Sequence, residues 1–193
     1  MKHIQKRNVP AFFTDFMKKE KPKEWADTAP IRPQLREYIL EHEQQGCCAY
    51  TEIRISGDKA CHIDHYHTWN LFPNETFNYD NLLVSCNAEN YGAKYKDKQV
   101  KGKTDYDKLL NPATDVPSDY LEYTFMGEML AIGGNERGAH TIEYFNLNER
   151  SLVNRRRNAV YCLQGMKNDL SEDEVVEAIG EFETMLRQLY KQL

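Results

Sequence analysis

The chain has no apolar run approaching the roughly 20 residues that a membrane-spanning helix needs, and no internal repeat or low-complexity tract. Its N-terminal stretch, MKHIQKRNVPAFF, has basic residues but neither a long apolar segment nor a small-residue cleavage site, so a secretory signal is not expected. A soluble, cytoplasmic protein is therefore the expectation, in which the five cysteines Cys47, Cys48, Cys61, Cys86 and Cys162 are reduced thiols or metal ligands rather than a disulfide framework. An overall excess of positive charge is also missing. The net charge of −5 argues against a protein that coats nucleic acid indiscriminately, because that affinity comes from a concentrated positive surface.

What is present is ordinary in amount and uneven in placement. Hydrophobic residues make up 40% and charged residues 28%, which in 193 residues is enough for one compact unit with a real core. Residues 1–24 carry seven Lys/Arg against three acids, and KYKDKQVKGK at 94–103 carries five lysines against one aspartate. Residues 172–183 carry six acids and no base. A phosphate-facing basic side and an acidic tail turned elsewhere, towards a protein, fit that asymmetry, as does a set of solvated faces.

PQLREYILEHEQQG, residues 33–46, reads as a helix with Pro33 in its first turn and Gly46 at its end. CAYTEIRIS at 48–56, Gly57-Asp58 and KACHIDHY suggest two extended segments joined by a turn, followed after a loop by a helix from about Cys86 to Lys94. Residues 119–132 alternate around Gly127, and TIEYFNL adds a further expected strand. A helix at about 149–166 carries Arg155, Arg156 and Arg157, which point in three directions on a helix and are read as a nucleic-acid contact or as a solvated or salt-bridged face. A last helix starts at the capping box SEDE and places Val175, Ile179, Phe182, Leu186, Leu189 and Leu193 on one stripe that packs on its own domain or docks on a partner. The fold class expected is α+β.

ACHIDHYH, residues 60–67, is the stretch richest in chemistry. On an extended strand His62 and Asp64 point one way and His65 the other, unless the strand end kinks to bring Asp64 and His65 around one site. Asp-His supplies a hard oxygen ligand for a Mg²⁺-like ion and, in the histidine, a base suited to neutral pH. Downstream, Asn81, then Asn90 nine residues later, then Lys94 four further on extend the pattern. His67 and His42 have nothing near them in the sequence to complete a site, and are expected to be structural.

In CAYTE (48–52), HIDH (62–65), DNLLVSC (80–86) and the Asn90-to-Lys94 segment, the chain resembles the HNH (ββα-metal) endonucleases. IQKRNVP, YTFMGEMLAI and TIEYFNLNERSLVNRRR extend the resemblance to the retron- and Septu-associated branch of that family, over nearly the whole chain. The resemblance implies an N-terminal arm and helix over 1–46, a nuclease core over 47–103 and an α+β elaboration over 104–193. It implies Asp64 and Asn90 as ligands of Mg²⁺ or Mn²⁺, His62 as a third ligand, His65 as general base and Asn81 as the residue that orients the His65 region. Lys94 and Lys96 would face nucleic acid. The implied partners are an ABC-type ATPase and, in retron versions, a reverse transcriptase with its DNA product. The implied activity is anti-phage cleavage of DNA or of RNA, including tRNA. Many relatives bind a structural zinc with two Cys-x-x-Cys pairs, whereas here Cys48 is matched with Thr51 and Cys86 with Glu89, so no complete structural zinc site is expected. Two rival readings stay open: a non-catalytic HNH-like module that binds a partner or nucleic acid, and a stand-alone HNH DNase of the restriction type.

Overall fold

Leu82, Leu83 and Val84 form a short apolar run between Asn81 and Ser85, the pattern of a strand covered on both faces. In the computed structural model, which describes residues 1–193 apart from the Asp58 side chain, that run is the centre of β2 (Leu82–Cys86), and all five of its residues are buried. It pairs antiparallel with β1 (Cys61–His65), Cys61 opposite Cys86 and His65 opposite Leu82. Directly opposed residues share a face, so Ile63, His65, Leu82 and Val84 lie on one side of this ribbon, and Asp64 and Leu83 on the other.

Each face meets a different core. The first is covered by α1 (Ala11–Glu20) and α2 (Arg32–His42), where Phe13, Leu35, Ile39, Tyr79, Leu82 and Val84 pack together. The second turns to a larger cluster that runs from Met1 and Tyr50 through Leu83 and Phe145 to Leu189. Into that cluster pack α3 (Ala93–Gln99), the hairpin of β3 (Leu121–Tyr123) and β4 (Met129–Ala131), and the helices α4 (Glu136–Tyr144), α5 (Arg150–Met166), α6 (Glu172–Ile179) and α7 (Glu183–Tyr190). Mixed helices and small sheets make this an α+β fold. The hairpin approaches α5 closely: Gly127, at φ +80°, has no room for a Cβ, which would sit 2.5 Å from the Val153 carbonyl oxygen.

Four expectations change. Residues 48–56 are not a strand paired with 61–65; among the described residues the ladder contact there is an isolated bridge from Cys47 to Arg54. The Cys48 N–H donates to the Ile53 carbonyl at 2.9 Å, and that of Glu52 to the Cys48 carbonyl at 3.0 Å, closing a tight loop. Glu52 stands in this loop at φ +60°, a left-handed conformation costing on the order of 1 kcal/mol that its anchored carboxylate holds in place. The anchors are the Met1 ammonium at 2.8 Å and the Thr184 N–H at 2.8 Å. The element order around the site is therefore strand, loop, strand, helix.

The helix after β2 begins at Ala93, not near Cys86, because Gly92 at φ +75° precedes it. TIEYFNL is the end of α4 and its exit rather than a strand: the Asn135 side chain caps the Gly138 N–H at 3.1 Å, and Gly138 and Thr141 turn inward with Phe145 following. The C-terminal stripe runs through two helices, broken where Gly180 (φ +72°) and Phe182 (φ +58°) turn left-handed. Val175, Phe182, Leu186 and Leu189 are buried in the chain's own core, while Leu193 is exposed. The three arginines of α5 go three ways. Arg155 pairs with Glu181 at 2.7 Å, Arg156 is buried and donates to the Leu147 carbonyl at 2.7 Å, and Arg157 reaches the Met126 carbonyl at 3.3 Å.

Among the described residues no helix is long and apolar enough to cross a membrane. Burial also orders the thiols: Cys162 is exposed on α5, whereas Cys48, Cys61 and Cys86 are buried. Brief treatment with a maleimide in native buffer, followed by peptide mass mapping, is expected to label Cys162 first and the three buried thiols only on unfolding. Equal native labelling of Cys48 and Cys162 would contradict the packing described.

Candidate functional site

β1 keeps its ladder as far as His65 without a kink, so Asp64 and His65 stand on opposite faces of the strand. Each has its own set of partners.

Asp64 is 4% exposed and faces α3 and the larger core. Its Oδ2 accepts from the Tyr50 hydroxyl and lies 3.4 Å from Lys96 Nζ. Lys96 is fully buried (0%) and also donates to the carbonyls of His65 at 3.2 Å and Tyr66 at 2.8 Å. Burial works against its charge, but Asp64 and Asp97, the latter 3.1 Å away, outweigh it and hold the ammonium above the usual lysine range. Lys96 was expected to face nucleic acid; it instead pins α3 to the end of β1. In the reverse direction, burial of Tyr50 and the neighbouring Asp64 carboxylate keep that phenol protonated far above its usual range.

His65 is 7% exposed and turns to the other side. Its Nε2 lies 2.9 Å from the Thr76 carbonyl oxygen, which only accepts, so Nε2 carries the proton and Nδ1 is the acceptor nitrogen. Burial lowers its pKa and favours the neutral imidazole, with the Thr76 bond and the Asp64 charge opposing. The Trp25 ring meets the imidazole edge-to-face, centroids 4.6 Å apart. Asn81 fixes the strand exit. Its Oδ1 accepts from the His67 N–H at 2.7 Å, and its Nδ2 donates to the carbonyls of His67 at 3.0 Å and Glu75 at 3.3 Å. It thereby ties β1 to the turn that presents the Thr76 carbonyl. His67 itself bonds Glu75 at 2.8 Å and stacks on Phe72.

The remaining expected site residues are dispersed. Asn90 lies exposed in the loop before α3, its backbone carbonyl accepting from the Asn146 side chain at 2.7 Å. Asn90 and Lys94 do not share a helix, which removes the i, i+4 relation expected of them, and Lys94 is paired with Glu89 at 2.8 Å. His62 Nδ1 pairs with the Asn87 side-chain oxygen at 2.8 Å. Among the described residues no three His, Cys, Asp or Glu side chains are grouped to hold a metal ion. Mg²⁺ asks for less, since it keeps several waters and takes one or two protein carboxylates. The second oxygen of Asp64, which neither Tyr50 nor Lys96 engages, and the exposed amide of Asn90 fit that requirement in donor type.

Cys48 and Cys86 do meet. The Cys86 N–H donates to Cys48 Sγ at 3.4 Å, and the Ser85 hydroxyl lies 3.7 Å from the same sulfur. Against the penalty of burial, the Cys86 thiol, the Thr51 hydroxyl and the N–H groups of Cys86 and Tyr50 pull Cys48 down to about 5, while Cys86 is pushed up by the same pairing. Four contributors carried no clear sequence signal. Thr76 acts through its backbone, Lys96 sits in a run of surface-like lysines, Tyr50 lies inside CAYTE without an evident role, and Trp25 is remote in sequence from His65.

With this geometry in place, comparison with known proteins adds a direction. No family model matches the chain. It is similar to Septu protein PtuB. The relative from Bacillus thuringiensis is 27% identical over 121 residues, covering 61% of this chain and 42% of that protein. The relative from Bacillus mycoides is 21% identical over 173 residues, covering 77% and 57% respectively. The chain thus spans about half the length of the curated relatives it matches.

Removing Lys96 strands the Asp64 carboxylate in the core. Lys96→Met is expected to destabilise the protein by about 3–5 kcal/mol in urea unfolding, as loss of one partner of a buried pair does, and Lys94→Met by less than about 1 kcal/mol. Equal midpoints for Lys96→Met and wild type would show that Lys96 does not pin α3.

Proposed function

We propose that this protein is the nuclease component of a Septu-type anti-phage defence system, an HNH-like enzyme that hydrolyses nucleic-acid phosphodiesters with His65 as general base. The observation that carries the reading is the hydrogen bond from His65 Nε2–H to the Thr76 carbonyl, which, in a site where burial favours the neutral imidazole, leaves Nδ1 to accept a proton. The order of strand, loop, strand and helix around it, with Asn81 bracing the strand exit, supports the ββα core of that family. The similarity to Septu protein PtuB supports the defence role.

In this mechanism a water at His65 Nδ1 loses its proton to the imidazole as its oxygen attacks phosphorus, the bond from phosphorus to the leaving sugar oxygen breaks and that oxygen takes a proton from solvent, and the ring stays oriented because Thr76 holds its other nitrogen. Asp64 and Asn90 would hold a divalent cation, Mg²⁺ or Mn²⁺, with His62 on the Asp64 face of β1 as a further ligand; that ion would supply positive charge at the scissile phosphate. The substrate is DNA or RNA, including tRNA. An ABC-type ATPase is the partner proposed to restrain the enzyme, and a retron reverse transcriptase with its DNA product is the further partner to test.

One observation favours a second reading, a non-catalytic HNH-like module. Asp64 is already neutralised by Lys96, on the face of β1 opposite His65. The two readings separate in one assay. Purified wild type, His65→Ala and Asp64→Asn are incubated with single-stranded DNA, duplex DNA and tRNA in Mg²⁺, with and without the ATPase. The nuclease reading expects His65→Ala to slow cleavage by about 10²- to 10⁴-fold with nucleic-acid affinity unchanged. Cleavage by His65→Ala at the wild-type rate rejects His65 as the base, and a wild type inert on every substrate favours the module.

A further inference from the structure

Two thiols meet at the end of β2. Cys48 and Cys86 lie 38 residues apart in the chain, yet the Cys86 N–H donates to Cys48 Sγ at 3.4 Å. The Cys86 Cα is one bond of about 1.5 Å beyond that nitrogen, so the Cys48 sulfur stands within about 5 Å of it, a separation that disulfide geometry accommodates. The backbone fixes the two segments side by side, because the Ala49 N–H donates to the Val84 carbonyl at 3.0 Å. Against burial, the Cys86 thiol, the Thr51 hydroxyl and the N–H groups of Cys86 and Tyr50 stabilise negative charge on Cys48. Cys86, whose S–H is committed to Cys48, keeps its proton. One sulfur is thus prepared to attack and the other to follow.

The pair is buried but not sealed. Cys48 lines a cavity of about 140 Å³ whose walls also include Gln44, Cys47, Arg54 and Gly180. At 2% exposure Cys48 is closed to a ring reagent such as a maleimide, whereas a molecule of two oxygens is little larger than water. Cys47, in the same wall, is the poorer nucleophile: burial and the Glu52 charge push its thiol up to about 11.

We propose that Cys48 and Cys86 are a reversible oxidation site for a small hydroperoxide that enters by this cavity, closing a disulfide between β2 and the 48–52 loop. In the first step the Cys48 thiolate attacks one peroxide oxygen, the O–O bond breaks, the departing hydroxide takes a proton from solvent, and Cys48 is left as a sulfenic acid. In the second the Cys86 sulfur attacks that of Cys48, the S–O bond breaks, and the leaving hydroxide takes the Cys86 proton as water. Two electrons pass from the two sulfurs to the peroxide. A small-molecule thiol restores the pair by exchange and is itself oxidised to a disulfide. The new bond fastens the loop that carries Tyr50 and Glu52 to the strand beside it. No step involves His65, so the site stands apart from the nuclease reading.

The full chain, reduced and freed of reductant, is treated with equimolar hydrogen peroxide in native buffer containing a chelator. Remaining thiols are blocked in acidic urea, and the peptides are mapped without reduction. The expected result is a Cys48–Cys86 linked peptide, loss of two of the five thiols with Cys162 still reduced, a urea midpoint shifted upward, and reversal of all of these by dithiothreitol. Cys86→Ser is expected to leave added oxygen on Cys48 and no linked peptide, and Cys162→Ser to link as the wild type does. Oxidation of Cys162 while Cys48 and Cys86 stay reduced, a link between any other pair, or a Cys48–Cys86 link that forms only in urea overturns the proposal.

Discussion

The buried ammonium of Lys96 is the contact on which the rest of the site depends. An isolated cation in a core costs several kcal/mol in lost hydration, and here that cost is offset by Asp64, Asp97 and two main-chain carbonyls at the end of β1. Those carbonyls belong to His65 and Tyr66, where the strand leaves its ladder and has no further strand to pair with. Lys96 therefore does for one side of the strand exit what Asn81 does for the other. Between them the backbone around His65 is held from α3 and from the 73–76 turn at once.

Holding the backbone decides the chemistry of the side chain. With β1 straight to its end, alternation sends Asp64 to the α3 face and His65 to the α1–α2 face. On that second face the imidazole is buried beside a tryptophan ring, and burial favours a neutral base over a cation, while the Thr76 carbonyl fixes which nitrogen carries the proton. The acidic C-terminal helices lie in the other core, where Arg187 takes Glu172, Asp173 and Glu183 into one network.

Much of this was legible in the residues and some was not, for physical reasons. The α2 helix and the SEDE capping box are local signals, and each became the element its pattern implied, whereas LLVSC follows a loop in the sequence reading and is a strand in the fold. The Asp64-His65 alternation was likewise readable from strand geometry alone. The 48–56 segment misled because its alternating apolar residues suit a strand, while Glu52 is held in a left-handed conformation by a carboxylate partner more than 100 residues away. TIEYFNL has β-favouring residues, yet Gly138 lets α4 approach β3 so closely that a Cβ would meet the Tyr120 carbonyl oxygen at 2.7 Å, and tertiary packing prevails over propensity. Lys96 carried a lysine's usual surface expectation, and only the presence of Asp64 and two strand-end carbonyls above α3 explains its burial.

The central claim is that the fold presents His65 as a neutral base with Nδ1 free. Long-range ¹⁵N–¹H correlation NMR of the histidine side chains in the full chain at neutral pH tests it most directly. The account predicts a pyrrole-like Nε2 and a pyridine-like Nδ1 for His65, assigned by loss of its signals in His65→Gln. A protonated Nδ1, whether from the opposite tautomer or from the imidazolium, would contradict it.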